Sequence, residues 1–354
     1  MSEELSKFDP WVIGDDGPAA LVIREYLMPV EGHDAAVFPP TFAAGDGFPG
    51  GYNIDPPPTR DAPWKTPNVC LIDSVGSQAN RLEPIFAEER YAELVPQVVV
   101  KAGDKEVSIL NAGHRAGDAL VRCSELQEEL HEAFRAVQAG NVEPLAKIAP
   151  TSLVFGAWDS RDTQAKLPRL VTSVIQAFDV RKLTRGAVYI PPVDYAELDV
   201  FTEAEKAKAE GSSKSPLAQR GFVHNPASGS HGGVIATGGI RRDATLSLAA
   251  LQLLNAGTDE RTLALRRYIL GLSLVTLTAN TSSYLRQGCN LVLDPEKTRE
   301  FCEVYRNGRR EPTTLSHKDS CTFAREAAKA FGPGESRTVE FDKSKAKADV
   351  KKKD

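Results

Sequence analysis

Several short stretches of this chain gather side chains that could hold a phosphate backbone. Ser77, Gln78, Asn80 and Arg81 lie together, followed by Arg161, Lys166 and Arg169, then Arg181, Lys182 and Arg185, then the adjacent pair Arg241 and Arg242. Arginine and lysine neutralise phosphate charge, while amides and hydroxyls add hydrogen bonds to sugar and base. The competing use of any single arginine is a salt bridge to one of the 48 acidic residues. Arg241 and Arg242 stand apart because they follow the paired glycines Gly238 and Gly239 and precede a stretch that reads as a helix N-terminus, where free N–H groups favour anions.

Other chemistries lack their residues. No G-x-x-x-x-G-K-[ST] phosphate cradle occurs, and the glycines at 229, 232, 233, 238 and 239 do not spell G-x-G-x-x-G. They read instead as a loop that lets backbone approach closely. His224 and His231 share a loop without close pairing, and His33, His114, His131 and His317 are dispersed, so no metal site and no cofactor are expected. No G-x-S-x-G elbow or Cys/His arrangement stands out.

The element that must position the first cluster is the most readable in the chain. In NVCLIDSVGSQANRLEPIF (Asn68 to Phe86), an apolar run from Val69 to Ile72 feeds a stripe of Val75, Ala79, Leu82 and Phe86, the spacing of one helical face. The opposite face carries Ser74, Ser77, Gln78 and Arg81, with Asn80 on its flank, where a solvated helix would carry mostly Lys and Glu. Such a face suits either an oxygen-rich ligand or a packed neighbouring loop. Pro84 ends or kinks this helix.

The remaining elements mix strands and helices without a regular βα alternation, which predicts an α+β domain with insertions. Ala20 to Leu27 reads as a first strand, Gln97 to Leu110 as a hairpin around Ala102-Gly103-Asp104, and Ser152 to Trp158 and Leu170 to Val180 as strands. Ser124 to Gln127 reads as a capping box opening a helix on Leu126, Leu130, Phe134 and Val137. Helices are expected over Thr245 to Leu254, Asp259 to Thr278, Asp294 to Tyr305 and Asp319 to Phe331. Residues 1–332 are expected to form a single domain with insertions at 29–67 and 203–233. The first insertion holds nine of the 23 prolines with interleaved aromatics, the second is charged and then Ser/Gly-rich. Residues 333–354 read as a disordered, Lys-rich tail.

Composition sets outer bounds. A chain of 354 residues, 41% hydrophobic and 26% charged, is ordinary for a globular protein. The acidic N-terminus is no secretory signal, the apolar run Tyr268 to Ala279 is too short to span a bilayer, and five scattered cysteines fit reduced thiols, so a cytoplasmic location is expected. The net charge of -5 is no footprint for nucleic acid, so any basic track must be local.

Four strings carry a family resemblance: LIDSVGSQANRLE (Leu71 to Glu83), LVFGAWDSR (Leu153 to Arg161), KLPRLVTSVIQAFDV (Lys166 to Val180) and GGIRRDATLSLAALQLL (Gly238 to Leu254). With LMPVEGHDAAVFPPTF (Leu27 to Phe42), they resemble the backbone subunit of the type I-G (formerly I-U) CRISPR Cascade complex, of the RAMP superfamily. The resemblance implies a ferredoxin-like (RRM-like) palm with finger and thumb insertions, the thumb being either excursion, with 203–233 preferred. It implies a non-catalytic subunit that stacks head to tail along a CRISPR guide RNA (crRNA), held mainly by its backbone, for pairing with a target DNA strand beside other Cascade subunits. Carried over residue by residue, Ser77, Gln78, Asn80 and Arg81 would contact the guide. The Trp158–Arg169 segment, with Arg161, Lys166 and Arg169, and the Gly238–Arg242 turn would line the same groove. The alternatives are an RNA-cleaving relative using His231 or Asp243 as acid or base, and a small-molecule enzyme using the glycine loop for a phosphate. Incubating the pure chain with labelled repeat RNA separates the first two. Intact RNA is expected, and specific cleavage abolished by His231→Ala would establish the nuclease.

Overall fold

Strand β1 (Ala20–Pro29) alternates the buried Leu21, Ile23 and Glu25 with the more open Val22, Arg24 and Tyr26, the period of two that a sheet covered on one face requires. A computed structural model of the chain describes residues 3–14, 16–55, 67–212, 214–280 and 282–351. The elements used below are, in order, β2 (Val69–Asp73), α1 (Val75–Leu82), β3 (Val171–Phe178), β4 (Val180–Tyr189), β5 (Asn225–Ala236), β6 (Ile240–Ser247), α2 (Asp259–Thr278), β7 (Cys289–Leu293), β8 (Glu300–Val304), α3 (His317–Phe331) and β9 (Arg337–Glu340). The class is α+β, as the sequence pattern implies.

β6 lies antiparallel between β1 and β3, so those two run parallel to each other. β2 extends the sheet beyond β3, and β7 and β8 pair with different parts of the other edge of β1. β3 and β6, adjacent in the sheet, are joined by the ribbon that β4 and β5 form together.

α2 covers the sheet at the end where Leu21, Ile23, Val171, Ala244 and Leu246 point inward. It is buried almost all round from Leu265 to Leu277, as a central helix should be. The Tyr268 hydroxyl donates to the Leu94 carbonyl at 2.8 Å, and its ring stacks on Phe331 of α3 at 4.8 Å. α2 and α3 cross at Gly271, where a Cβ would lie 2.8 Å from Ala324 Cα. Among the described residues, no helix is long and apolar enough to cross a membrane.

The structure departs from the sequence-based expectations at several places. Thr151–Phe155 is a helix packed on α2, and only Ala157–Trp158 of the expected strand is extended; a short apolar run carries no period that tells the two apart. Thr245 to Leu254 is not one helix: β6 runs to Ser247 and a single turn, Leu248–Leu251, follows. The buried Arg242 hid the period of two in that strand. Instead of a helix after Asp294, β8 pairs with β1, Val304 opposite Ala20. Ser124 accepts from the Leu126 N–H, and the next helix begins at Gln127, without the capping box.

The tail is ordered through residue 351. β9 joins Val98–Ala102 in parallel and buries Val339, and the helix Lys343–Lys351 follows, Asp349 accepting twice from Arg122 at 2.9 Å. Backbone pairing needs few apolar side chains, so composition concealed it. The 203–233 insertion belongs to a larger excursion based on the β4/β5 ribbon, with its own small cluster of Ala209, Ala218 and Val223. The proline-rich excursion folds onto the ribbon's root: Val37 bridges Val234, and the Tyr52 hydroxyl accepts from the Gly233 N–H. Residues 56–66, with Trp64, lie outside the described residues.

Gly271→Ala sets a helix-propensity gain of about 1 kcal/mol against overpacking of about 1–3 kcal/mol where the obstacle is backbone. A net loss of about 1 kcal/mol is expected, read as a lower urea midpoint at unchanged slope.

Candidate nucleic-acid interface

β2 ends on Asp73, which is fully buried. Its carboxylate accepts from Gln78 Nε2 at 2.6 Å, Arg81 Nε at 3.1 Å and Arg286 Nη2 at 2.8 Å. Ser74 caps α1 by accepting from the Ser77 N–H at 3.1 Å, and Ala79, Leu82 and Phe86 face the core as their spacing predicts. Gln78 does not face solvent. It is 2% exposed, and its carbonyl oxygen accepts from the Ser173 hydroxyl at 2.8 Å. The expected guide contact at Gln78 is therefore corrected: its amide is used to tie α1 to β3. Ser77 and Asn80 are exposed, and Arg81 keeps one edge open while its Nη2 donates to the Leu285 carbonyl at 2.8 Å. Pro84 lies in a tighter turn, Glu83–Ala87, that continues α1.

Arg161, Lys166 and Arg169 do come together. With Arg115, Arg122, His114 and Trp158 they line a cleft of about 620 Å³. Its walls are the 113–122 turns and the short pairing of Ala157–Trp158 with Lys166–Leu167. The 159–165 loop is held by the buried Asp159, which accepts from the Thr163 N–H at 2.8 Å and hydroxyl at 2.7 Å. Trp158 is 55% exposed, and Lys166 Nζ stands 5.5 Å from its ring centre. Gly156, at φ +79, lets Arg169 pack close; a Cβ there would lie 3.0 Å from Arg169 Cγ.

The floor of the cleft connects to α1. Arg115 Nε meets Glu83, the residue directly after α1, at 2.6 Å, and both side chains are buried. Burial pushes the Glu83 carboxyl up to about 7, although Arg115 pulls the other way. Burial, with repulsion from Arg115, lowers the Arg169 guanidinium.

Arg241 and Arg242 lie within strand β6, not before a helix, so they point to opposite faces. Arg242 is buried, its Nε donating to Glu25 at 2.7 Å, and Glu25 also accepts from Arg299 at 2.7 Å. It is a structural ion pair. Arg241 lies on the open face, 4.7 Å over the Phe178 ring, its Nε donating to Asp243 at 2.8 Å. Arg241 pairs with Gln176, five strand positions or roughly 17 Å from Val171 at the start of β3, and Arg169 lies two residues before that start. The 158–169 segment and the 238–242 turn thus sit at opposite ends of β3 rather than in one groove.

His231 packs edge-on against Tyr52 at 4.8 Å, and Asp243 is shared by Arg24 and Arg241. His33, Asp294 and Glu296 bring ligand atoms within 4.8 Å of one another, only Asp294 being buried. Sequence reasoning missed Asp73, Arg115, Arg122 and Arg286. The glycines flanking Arg115, at 113 and 117, were the one local signal.

Asp73→Ala would strand Arg81 and Arg286 beside an apolar hole, and a loss of about 3–5 kcal/mol is expected on chemical unfolding. Glu83 gives a pH signature. Between its ordinary 4.5 and about 7 the folded chain keeps a proton that the unfolded chain has released. Its contribution is therefore fully present below about 4.5 and lost as pH rises through about 7. Glu83→Gln should flatten that part of the stability–pH curve.

No curated protein matches the chain. Residues 21–182 match the model of a family described as CRISPR-associated protein GSU0053. That segment runs from β1 to the start of the ribbon and holds Asp73, Gln78, Arg81 and the cations lining the cleft, and over it the chain is similar to a CRISPR-associated (Cas) protein family.

Proposed function

We propose that the chain is a non-catalytic, RNA-binding backbone subunit of a Cascade-type ribonucleoprotein, gripping crRNA while copies stack along it. The carrying observation is that the family segment contains the cleft, which concentrates five cations on a chain of net charge -5. A local basic track on an acidic body suits a ligand held in a groove rather than one attracted from afar.

Two further features support the reading. The parallel β1 and β3 with β6 between them, and α2 leading from β6 back to the β1 edge, are consistent with a ferredoxin-like palm. Its open face carries Tyr26, Gln176, Phe178 and Arg241, a mixture of stacking and hydrogen-bonding groups. The ribbon and the segment after it display Val188, Tyr189, Ile190, Val193, Leu198 and Val200, all about half exposed or more. An apolar patch of that kind suits a protein neighbour, which here would be the next copy or another Cascade subunit, with the ribbon as the thumb. Sequence reading is left to base pairing between guide and target DNA.

The recombinant chain is expected to copurify with RNA and to lose it steeply as salt rises. Each phosphate contact removed from a single strand lowers the slope of log affinity against log salt by about 0.7. Arg161→Ala and Arg241→Ala combined should therefore reduce it by about 1.4, whereas Asn80→Ala, which removes no charge, should weaken binding without changing the slope. An unchanged slope in the double arginine variant would remove these two arginines from the interface, and a chain that never retains RNA would end the reading.

A further inference from the structure

We propose that the cleft between Gly113 and Arg169 is a discrete pocket for one nucleotide, its phosphate held by Arg115 and Arg169 and its base laid against Trp158. This deepens the RNA-binding reading at one site and rests on it only if the nucleotide belongs to a strand.

Donors without acceptors carry the phosphate half. Arg115 is 3% exposed, yet its Nη2 has no hydrogen-bond partner, and Arg169 Nη1 and Arg122 Nε, also in residues lining the cleft, are buried and unpartnered. Buried guanidinium N–H groups are normally satisfied because an unmet one is costly. An anion with several oxygens would satisfy them together, and planar guanidinium forks match phosphate. Arg115 also holds its backbone at φ +55, a conformation non-glycine residues avoid unless their surroundings impose it. Of the cations lining the cleft, Arg115 is offset by Glu83 and Arg122 by Asp349, while Lys166 and Arg169 add positive charge that a ligand's phosphate would meet.

Trp158 supplies the base half. It is a large aromatic side chain left open at the rim of a positively charged cleft, with Lys166 over its ring. Stacking on an aromatic face tolerates any base, so the pocket would read nucleotide chemistry rather than sequence. The volume, about 620 Å³, is that of a small-ligand site and admits one nucleotide rather than a duplex.

Titration calorimetry of the full chain tests this with AMP, adenosine, inorganic phosphate and an unphosphorylated RNA hexamer. AMP should bind and adenosine should bind at least about tenfold more weakly, because the charged hydrogen bonds are lost. Trp158→Ala should weaken AMP about tenfold and leave inorganic phosphate unchanged, while Arg169→Gln should weaken both. These two positions are open or half-buried, so folding is checked by the thermal midpoint, and the native chain's ligand ranking stands even if a variant fails. A hexamer that displaces AMP assigns the pocket to a strand, and one that does not assigns it to a free nucleotide; either supports the pocket. Binding of neither AMP nor hexamer at millimolar concentration overturns it, as does equal AMP affinity in the native chain and in a chain carrying Trp158→Ala and Arg169→Gln together. Guide-RNA retention by the whole chain is measured separately, so the RNA-binding reading can fail while AMP binding persists.

Discussion

The arrangement of this molecule turns on one buried carboxylate. Asp73 has no exposed surface and takes hydrogen bonds from Gln78, Arg81 and Arg286. Such a charge is tolerable only if its acceptor sites are filled, and filling them fixes three other things. Gln78 passes the constraint to Ser173 on β3, Arg286 anchors the short strand Tyr284–Arg286 that pairs with β7, and Arg81 is held at the surface with one edge free. The helix that presents Ser77 and Asn80 is therefore set by polar geometry as much as by Ala79, Leu82 and Phe86.

The same device recurs beside it on the covered face of the sheet. Glu25, Arg242 and Arg299 form a polar row between two apolar clusters, one built on Leu21, Ile23, Ala244 and Leu246 with α2, the other on Ile175, Ala177, Ile240 and Cys70. Ion pairs of this kind add little net stability but penalise misregistered pairing strongly. A slip of one residue between β1 and β6 would turn Arg242 to the open face and bury Arg241 away from Glu25. Several arginines that look available in the sequence are thus committed to register.

That division explains what the sequence could reveal. Local patterns were legible where one face is mainly apolar: the α1 stripe, the 98–108 hairpin, the Leu21–Ile23 start of the first strand, and α3 with its stop at Gly332. They failed where a charge points inward, as in β6, or where backbone pairing alone orders the chain, as in β9. For the site, the clustering of Arg161, Lys166 and Arg169 survived because chain proximity sufficed. Arg115 was invisible because its partner, Glu83, lies more than thirty positions earlier in the chain, and Gln78 and Asn80 look alike until one knows which is turned toward Asp73.

α1 carries a buried carboxylate at each end, and the two ends are not equivalent. Asp73 precedes the N-terminus, where the helix dipole favours negative charge, whereas Glu83 follows the C-terminus, where it opposes it. The dipole therefore acts in the same sense as the burial that pushes Glu83 up to about 7. When Glu83 takes a proton, Arg115 loses its counter-charge, and the cleft gains a full positive charge at its floor without any movement of the walls. One eight-residue helix thus couples the carboxylate that sets the fold to the carboxylate that sets the potential of the cleft. A phosphate bound there would meet a field that strengthens as pH falls toward neutrality and below, opposite to the trend expected where binding depends on a carboxylate staying ionised.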